Sequence, residues 1–318
     1  MIIDSHFHTV GALGDKASAI AWAERGYKVY GPGARTGMQK VNVTFEEFKE
    51  RYLDHIDDPD GEKLLARMSK AGVDVTVICV VDNPQRYIED SDILSTNREL
   101  AEFANGSKGR IVALAGIDPR RKAAPDLYRR CVEEYGMKGL KLHLYRGYYP
   151  NSEGAYAVLK VAEQLATPVL FHTGIMPAPH LPVPSTYKYA RVGLLEEVAQ
   201  SFPTVKMIAG HVGRFDFREW ASIAEARPNL YGDISNWQLF AAANYERFCH
   251  YLREMLDIAG PDSLLFASDG HIFEALVPNA QWIQIMRDLP HKAPPGLKFT
   301  EEEIAAILGG NAQKIFAL

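Results

Sequence analysis

The chain begins with MIIDSHFHTV, residues 1–10, in which an apolar run leads into Asp4, His6 and His8. The apolar run is typical of a buried strand, where residues two apart point to the same face with their Cα atoms about 6–7 Å apart. Two neutral imidazoles on one face can bind a divalent metal, and they can equally be ordinary hydrogen-bonding side chains. Residues further along the chain distinguish these two interpretations.

Short apolar runs alternate with amphipathic stretches of helical length from residue 72 onward, as expected of βα units around a parallel sheet. Seven further strands are predicted, at residues 73–81, 110–116, 137–143, 168–172, 205–211, 229–233 and 264–269. With the opening strand they make eight, so the sequence predicts an α/β fold, a (β/α)8 TIM barrel. One such barrel accounts for residues 1–318 as a single domain.

Residues 9–60 interrupt this rhythm and carry the glycine-rich stretch YGPGARTG at residues 30–37. We interpret them as an insertion after strand 1 that forms a lid or cap over the mouth of the barrel. The tail TEEEIAAILGGNAQKIFAL, residues 300–318, predicts two short C-terminal helices.

The composition restricts the partners that the protein can have. The formal charge is −5, from 35 Lys and Arg against 40 Asp and Glu, and no basic stripe suited to nucleic acid is present. No stretch reaches the roughly 18 apolar residues that would cross a membrane. We therefore expect a cytoplasmic protein that acts on a small molecule, with no nucleic-acid or membrane partner; a homo-oligomer is compatible with the sequence. Cys79, Cys131 and Cys249 are expected to be buried, reduced thiols.

Polar residues follow the apolar runs of three further strands. Strand five ends in PVLFHTG with His172, strand six in KMIAGHVGR with His211, and strand eight in LLFASDG with Asp269. Active sites of such barrels lie where the strands end, so these side chains are expected to converge. Singly, each can be a hydrogen-bonded histidine or a helix-capping aspartate. Together, three histidines and one aspartate suit an ion such as zinc, whose bound water Asp269 could deprotonate.

The order of these motifs resembles the amidohydrolase superfamily. The phrases GLKLHLYRGYYP, PVLFHTG, NLYGDISN, LLFASDG and ILGGNAQKIF are similar to the amidohydrolase-related branch that contains aminocarboxymuconate-semialdehyde decarboxylase and predicted metal-dependent hydrolases. The resemblance covers residues 1–9 and 72–318. It implies one divalent metal, zinc or alternatively manganese, with His6, His8, His172 and Asp269 as ligands and with Asp269 and His211 as the catalytic residues.

Lys141 in KGLKLH allows two interpretations. It resembles the strand-four lysine that many binuclear amidohydrolases carry as a metal-bridging carbamate, and a second metal is expected only if Lys141 is modified in that way. Alternatively, it is an unmodified interior lysine paired with a carboxylate such as Asp4, which is expected to point the same way as His6.

Three further residues are candidates for binding substrate. His143 follows Lys141 by two positions and can contact the substrate or the edge of the metal site, or be structural. Arg146 and Arg214 lie in loops after strands four and six, where a guanidinium can bind a carboxylate or simply be solvated. Trp237 and Phe240, after strand seven, can wall a pocket or pack in the core.

The leading functional prediction is a metal-dependent hydrolase. In it, metal-activated water attacks a carboxylic ester, lactone or amide of a small, acidic substrate. The alternative is a metal-dependent nonoxidative decarboxylase of a small carboxylic acid, which would use the same ligands to hold its substrate.

Overall fold

Eight parallel strands form the centre of the molecule. The computed structural model describes residues 1–8, 16–32, 41–176 and 185–318. The strands are β1 Ile3–His8, β2 Val75–Cys79, β3 Ile111–Gly116, β4 Leu140–Leu142, β5 Val169–His172, β6 Met207–Gly210, β7 Leu230–Asp233 and β8 Leu264–Leu265. Each strand pairs in parallel with the next in chain order, so the predicted TIM barrel is confirmed. Several strands are shorter than predicted; β8, for example, contains only Leu264–Leu265 of the predicted residues 264–269.

The segment that follows β8 joins β1 and brings the two ends of the sheet together. Ser5 N donates to Phe266 O at 3.0 Å, and Asp269 N donates to His6 O at 2.8 Å. A buried side chain reinforces this closure, because Asp4 accepts hydrogen bonds from Ser268 N at 2.9 Å and from Ser268 Oγ at 2.5 Å. Closing the barrel therefore fixes the backbone of β1 against the loop that carries Asp269.

Strand β1 contains one extra residue relative to β2. Asp4 pairs with Thr76 and Phe7 pairs with Ile78, so three steps along β1 match two steps along β2. Such a bulge reverses the alternation of side chains between the two faces. As a result Ile3 packs inside the barrel, Phe7 packs against the surrounding helices, and His6 lies on the interior side beside Lys141.

The helices surround the strands and extend the chain beyond them. They are α1 Lys16–Tyr30, α2 Phe45–Ile56, α3 Glu62–Ala71, α4 Asp90–Gly106, α5 Ala124–Glu133, α6 Glu153–Gln164, α7 Leu195–Ser201, α8 Phe217–Ala226, α9 Trp237–Ala243, α10 Tyr245–Ala259, α11 His271–Leu276, α12 Asn279–Lys292, α13 Glu301–Ala305 and α14 Asn311–Phe316. The predicted terminal helices correspond to α13 and α14, and a capping box of Thr300 and Glu303 begins α13.

The described part of the predicted insertion consists mainly of α1 and α2. Residues 9–15 and 33–40 of the insertion lie outside the described residues. Helix α2 packs against α1 and against α11, the helix that follows Asp269. At the end of α1 the ring of Tyr30 lies edge-on to Phe273 of α11, with the centroids 4.8 Å apart. The insertion is therefore attached to the loop and helix at the end of strand eight.

Apolar residues fill two layers of the core. The inner layer lies within the barrel and ends in Ile315 and Phe316 of α14, which close the end opposite the site. The outer layer packs between strands and helices. All three cysteines are buried and free, as predicted. No helix in the described ranges combines the length and apolar character needed to cross a membrane.

The close packing of β3 against β2 gives a test of the fold. A Cβ on Gly116 would lie 2.3 Å from Val80 O, whereas one on Gly106, at the end of α4, would meet nothing within 4 Å. We expect Gly116→Ala to cost about 1–3 kcal/mol of unfolding free energy, because backbone would have to shift. Gly106→Ala, the control, should be neutral or stabilise by up to about 1 kcal/mol. Urea denaturation measures both, and equal stability of the two variants would contradict the strand packing.

Candidate metal centre

The predicted metal ligands lie at the rim where the strands end, in two sets of contacts. His8 Nε2 lies 3.0 Å from Asp269 Oδ1, and His6 Nε2 lies 3.5 Å from the same oxygen. Across the site, His211 Nε2 lies 3.2 Å from His172 Nδ1. Side chains from four separate strand ends therefore meet in one cluster, as expected of an active site in this fold.

The hydrogen bonds to the Nδ1 atoms set the orientation of three histidines. His6 Nδ1 contacts Asp233 Oδ2 at 2.9 Å, and His8 Nδ1 contacts Cys79 Sγ at 3.4 Å. The Cys79 thiol donates to Phe7 O at 3.2 Å, so its sulfur is left to accept from His8. With His172 Nδ1 at His211, each of His6, His8 and His172 uses Nδ1 as the donor and keeps a lone pair on Nε2. Metal-binding histidines are commonly oriented in this way.

Two buried atoms in this cluster have no hydrogen-bond partner among the described residues, namely His172 Nε2 and Asp269 Oδ1. The approach of His8 to that oxygen is close, but it lacks the geometry of a hydrogen bond. Buried polar atoms without partners are uncommon and costly, and a nitrogen lone pair with a carboxylate oxygen is the donor chemistry of a divalent metal site. These atoms have the donor chemistry of a metal site that would also include His6 Nε2 and His8 Nε2, although neither compact group of possible ligand atoms among the described residues contains His172 or Asp269.

The charge states of His172 and Asp269 suit a metal, whereas Asp233 outweighs burial and the charge of Lys141 and raises the pKa of His6 to about 10, so His6 must lose a proton when an ion binds. Burial, with His143, His211 and Lys141 close by, holds the pKa of His172 well below its usual range, so its imidazole is neutral at pH 7. Burial would raise the pKa of Asp269, but His211 and His8 outweigh it and hold that pKa below its usual range. Neutral imidazole and ionised carboxylate are the forms that bind metals.

Asp269 stands in an uncommon backbone conformation that its neighbours enforce. Its φ is +62°, in the left-handed region that few residues other than glycine adopt. On one side Ser268 is bound to Asp4, and Gln238 Nε2 donates to Ser268 O at 2.6 Å. Such strain persists only where the surroundings impose it, and it is frequent at functional sites.

The loop after β6 is similarly strained. His211, Val212, Gly213 and Arg214 all have positive φ, from 45° to 69°. Hydrogen bonds at both ends hold the loop, with Asp233 Oδ1 accepting from His211 N at 2.9 Å and Ile175 O accepting from Arg214 Nη1 at 2.8 Å. This conformation directs His211 and Arg214 to the same side of the barrel rim.

An aromatic pocket adjoins the cluster, and it is lined by Arg214, Phe215, Asn236, Trp237 and Phe240. Arg214 is only 7% exposed, and among the described residues no carboxylate forms an ion pair with it. Burial lowers its pKa, while Tyr30, Asp269 and Tyr145 favour its charge. A buried guanidinium without an anionic partner is well suited to bind an anionic ligand.

Comparison with known proteins places this arrangement in a family. A family model described as amidohydrolase matches residues 3–318. The chain belongs to the amidohydrolase family. No curated protein matches it.

Solved structures support the fold of this amidohydrolase over its whole length. A TIM-barrel protein from Bordetella bronchiseptica is 17% identical with a TM-score of 0.67, covering 99% of this chain and 98% of its own. A dihydroxybenzoic acid decarboxylase from a Polaromonas species, solved with manganese and 2-nitroresorcinol, is 18% identical with a TM-score of 0.64, covering 100% and 97%. The 5-carboxyvanillate decarboxylase of Sphingomonas paucimobilis is 15% identical with a TM-score of 0.61, covering 100% and 99%.

The predicted pairing of Lys141 with Asp4 is wrong. Lys141 is 2% exposed, and its Nζ lies 2.7 Å from His6 Nε2, whereas Asp4 binds Ser268 and Asn279. The reason is the bulge in β1, which places Asp4 and His6 on opposite faces of the strand although they are two residues apart. Burial raises the pKa of Asp4 to about 6, against its hydrogen bonds from Ser268 and Asn279.

The other substrate-binding candidates have different surroundings. The His143 ring stacks on His172 with the centroids 4.4 Å apart, so it borders the cluster. Burial, with the charges of Lys141 and Arg146, holds the pKa of His143 well below its usual range. Arg146 is exposed. Of the two candidate arginines Arg214 is thus the buried one, and His143 borders the cluster on the side of β4.

Sequence reasoning missed four residues that contact the histidines, namely Asp233, Ser235, Asn236 and Cys79. Asp233 bonds to His6 and to the backbone of His211. Asp233 follows the apolar run of strand seven in NLYGDISN, just as the other candidate residues follow theirs. This position is a signal in the sequence that could have identified it. Potential ligand atoms of His6, His8 and Cys79, and of His6, His211 and Asp233, also form compact groups. The second group is already joined through the hydrogen bonds of Asp233.

Metal analysis tests the ligand assignment. We expect purified protein to hold about one equivalent of a divalent metal, and His6→Ala combined with His8→Ala to lose nearly all of it, because two of four ligands are removed. His250→Ala, on the exposed side of α10, is the control and should keep the wild-type content. Elemental analysis after dialysis gives the ratio. Wild-type metal content in the double variant would show that the ion binds elsewhere.

Proposed function

We propose that this protein is a metal-dependent nonoxidative decarboxylase of a small aromatic or otherwise unsaturated carboxylic acid. The observation that carries the proposal is Arg214, a buried guanidinium that pairs with no carboxylate in the described part of the chain, is influenced by the charge of Asp269 and lines a pocket with aromatic rings. This replaces hydrolysis as the leading prediction. The whole-length likeness to structures described as decarboxylases supports that change.

The metal in this proposal is a single divalent ion held by His6, His8, His172 and Asp269. Three nitrogens and one carboxylate oxygen are acceptable to zinc and to manganese. The Polaromonas structure contains manganese, which makes that ion as good a candidate as zinc. When bound, the ion supplies a positive charge that anchors a carboxylate or hydroxyl oxygen of the substrate.

We further propose that Lys141 is unmodified, so that one metal binds. Its Nζ lies 2.7 Å from His6 Nε2, the atom that would bind the metal, so Lys141 borders the metal site and cannot use that lone pair once an ion is bound. An ammonium at this depth repels a second cation. A carbamate on Lys141 would instead be an anion, and it would attract one.

The residues of the pocket supply orientation and a dry environment. Arg214 binds an anionic oxygen of the substrate, and Trp237, Phe240 and Phe215 hold the ring or chain beside it. Decarboxylation breaks one carbon–carbon bond, releases carbon dioxide and leaves an electron pair on the substrate carbon, which must take up a proton. Exclusion of water from that carbon directs protonation to a positioned protein group.

Asp269 is the group that we assign to this proton transfer. His211 and His8 favour its ionised form, so Asp269 can accept the proton that the bound acid or its hydroxyl group gives up. An acid with a low pKa is a strong donor once protonated, and it can pass that proton to a weakly basic carbon. The two transfers leave Asp269 ionised at the end of the cycle.

The insertion completes the pocket in this proposal as a lid. Tyr30, the last residue of α1, lies near enough to Arg214 and Asp269 for their charges to act on its hydroxyl, and burial raises its pKa to about 12, although Arg214 opposes the shift. A neutral tyrosine hydroxyl can donate a hydrogen bond to a substrate oxygen. The insertion therefore places a polar group over the aromatic walls.

Product analysis distinguishes decarboxylation from hydrolysis. The protein is reconstituted with manganese or zinc and incubated with carboxyl-¹³C-labelled hydroxybenzoic acids, and separately with aryl esters, lactones and anilides. We expect labelled carbon dioxide from at least one acid, detected by mass spectrometry, and Asp269→Asn to abolish its release because an amide cannot carry the proton. Cleavage of esters, lactones or amides without any carbon dioxide would restore the hydrolase.

Arg214 gives a second test with a matched control. Arg214→Met should raise KM for the acid by about 10–100-fold, because hydrogen bonds between charged groups contribute about 1.5–3 kcal/mol. Arg218→Met removes an exposed arginine of α8 that pairs with Glu254, and KM should not change. An unchanged KM in both variants would place the substrate carboxylate away from Arg214.

A further inference from the structure

The hydroxyl of Ser235 determines which nitrogen of His211 carries the proton. Ser235 Oγ donates its single proton to Asp233 Oδ1 and also lies 2.7 Å from His211 Nδ1. Since that proton is already used, Ser235 can only accept a hydrogen bond from His211. His211 Nδ1 is therefore the protonated nitrogen.

The amide of Asn236 agrees with this assignment only when its nitrogen and oxygen ends are exchanged. Its amide nitrogen lies 2.9 Å from His211 Nδ1, while its oxygen is buried without a partner among the described residues. Exchanging the nitrogen and oxygen ends of the amide would direct the oxygen at the Nδ1 proton and leave no buried oxygen unpaired. Both neighbours of His211 Nδ1 then accept a hydrogen bond.

The opposite nitrogen of His211 is consequently an acceptor. His211 Nε2 lies 3.2 Å from His172 Nδ1, so His172 must donate from Nδ1 and keep its lone pair on Nε2. His172 Nε2, which is buried and has no partner within the described ranges, is the atom that the metal would use. A neutral His211 with its proton on Nε2 could not accept this bond, and His172 would lose the partner that orients it.

Asp233 is linked by hydrogen bonds to two of the proposed metal ligands, His6 and His172. Its Oδ2 binds His6 Nδ1 at 2.9 Å, and its Oδ1 binds Ser235, which leads to His211 and then to His172. We propose that His211 is a positioning residue for the metal ligand His172, and that Asp233 orients His6 directly and His172 through Ser235 and His211. The sequence had indicated a catalytic role for His211, whereas its hydrogen bonds direct both of its ring nitrogens to protein groups.

This inference rests on the metal site of the proposed function but not on the reaction. Orientation of His172 affects metal affinity whether the bound substrate is decarboxylated or hydrolysed. Measurements of proton position and metal affinity therefore test it separately from product analysis.

Proton position is measured by nitrogen NMR of zinc-loaded protein labelled with ¹⁵N-histidine, with the His211 signals identified by their loss in His211→Gln. We expect His211 to carry its proton on Nδ1, and Ser235→Ala to reduce that preference. A proton on His211 Nε2 in the wild-type protein would overturn the proposal. If zinc does not bind, the same spectrum of metal-free protein decides the question, and the metal assignment alone fails.

Zinc affinity is measured by competition with a chelator. Ser235→Ala should weaken zinc binding by about 10–100-fold, as is usual when a partner of a metal ligand is lost. Ser263→Ala is the control, because Ser263 is also a buried serine, bound to Gly260 O far from the site, and should leave affinity unchanged. Equal affinities of the two variants would refute the proposal that Ser235 helps to orient His172 through His211.

His211 variants separate positioning from general damage. His211→Gln can still accept from His172 and donate to Ser235 through its amide, so it should bind zinc within about tenfold of the wild type, whereas His211→Phe should lose 100-fold or more, on the order expected for such partners. Equal losses in the Gln and Phe variants, with both folded by circular dichroism, would contradict a role that depends on hydrogen bonding.

Discussion

The single extra residue in β1 is the constraint on which the site depends. Without it, strict alternation would place Ile3, Ser5 and Phe7 on the inner face and turn both histidines toward the helices. The bulge between Asp4 and Phe7 keeps Ile3 in the inner core and still brings His6 inward. The first strand can thus begin as part of the hydrophobic interior and end as part of a polar centre.

The same bulge joins the closure of the barrel to the geometry of the site. It directs Asp4 outward to Ser268, next to Asp269, and the backbone of Asp269 is bonded to His6. Ligands from the first and last strands are therefore fixed to each other by the contacts that close the sheet. This arrangement explains how a left-handed conformation at Asp269 is maintained, because several independent hydrogen bonds impose it.

The charges around His6 depend on the residues that contact its two ring nitrogens. Asp233 is buried, and its attraction to His6 outweighs the effect of burial and keeps its pKa below the usual range. Its negative charge lies behind the ligands and opposite the buried ammonium of Lys141. The centre therefore contains compensating charges on both sides of His6, which lowers the cost of burying each of them.

The sequence predicts more of the fold than of the site. Eight apolar runs separated by helical patterns were sufficient for the barrel, because burial on both faces makes parallel strands continuous apolar segments. The convergence of His6, His8, His172, His211 and Asp269 followed from the rule that strand ends meet at one rim. Arg214 was a candidate for the same reason, but its burial could not be predicted from a loop position.

The sequence by itself determined the fold, the family motifs and the identities of the polar residues at the strand ends. Tertiary structure decided the facing of Asp4, the partner of Lys141 and the network of Asp233, Ser235 and His211. A bulge depends on how two strands pair, and a hydrogen bond depends on distances between residues far apart in the chain. Neither is encoded in local periodicity, which describes only one element at a time.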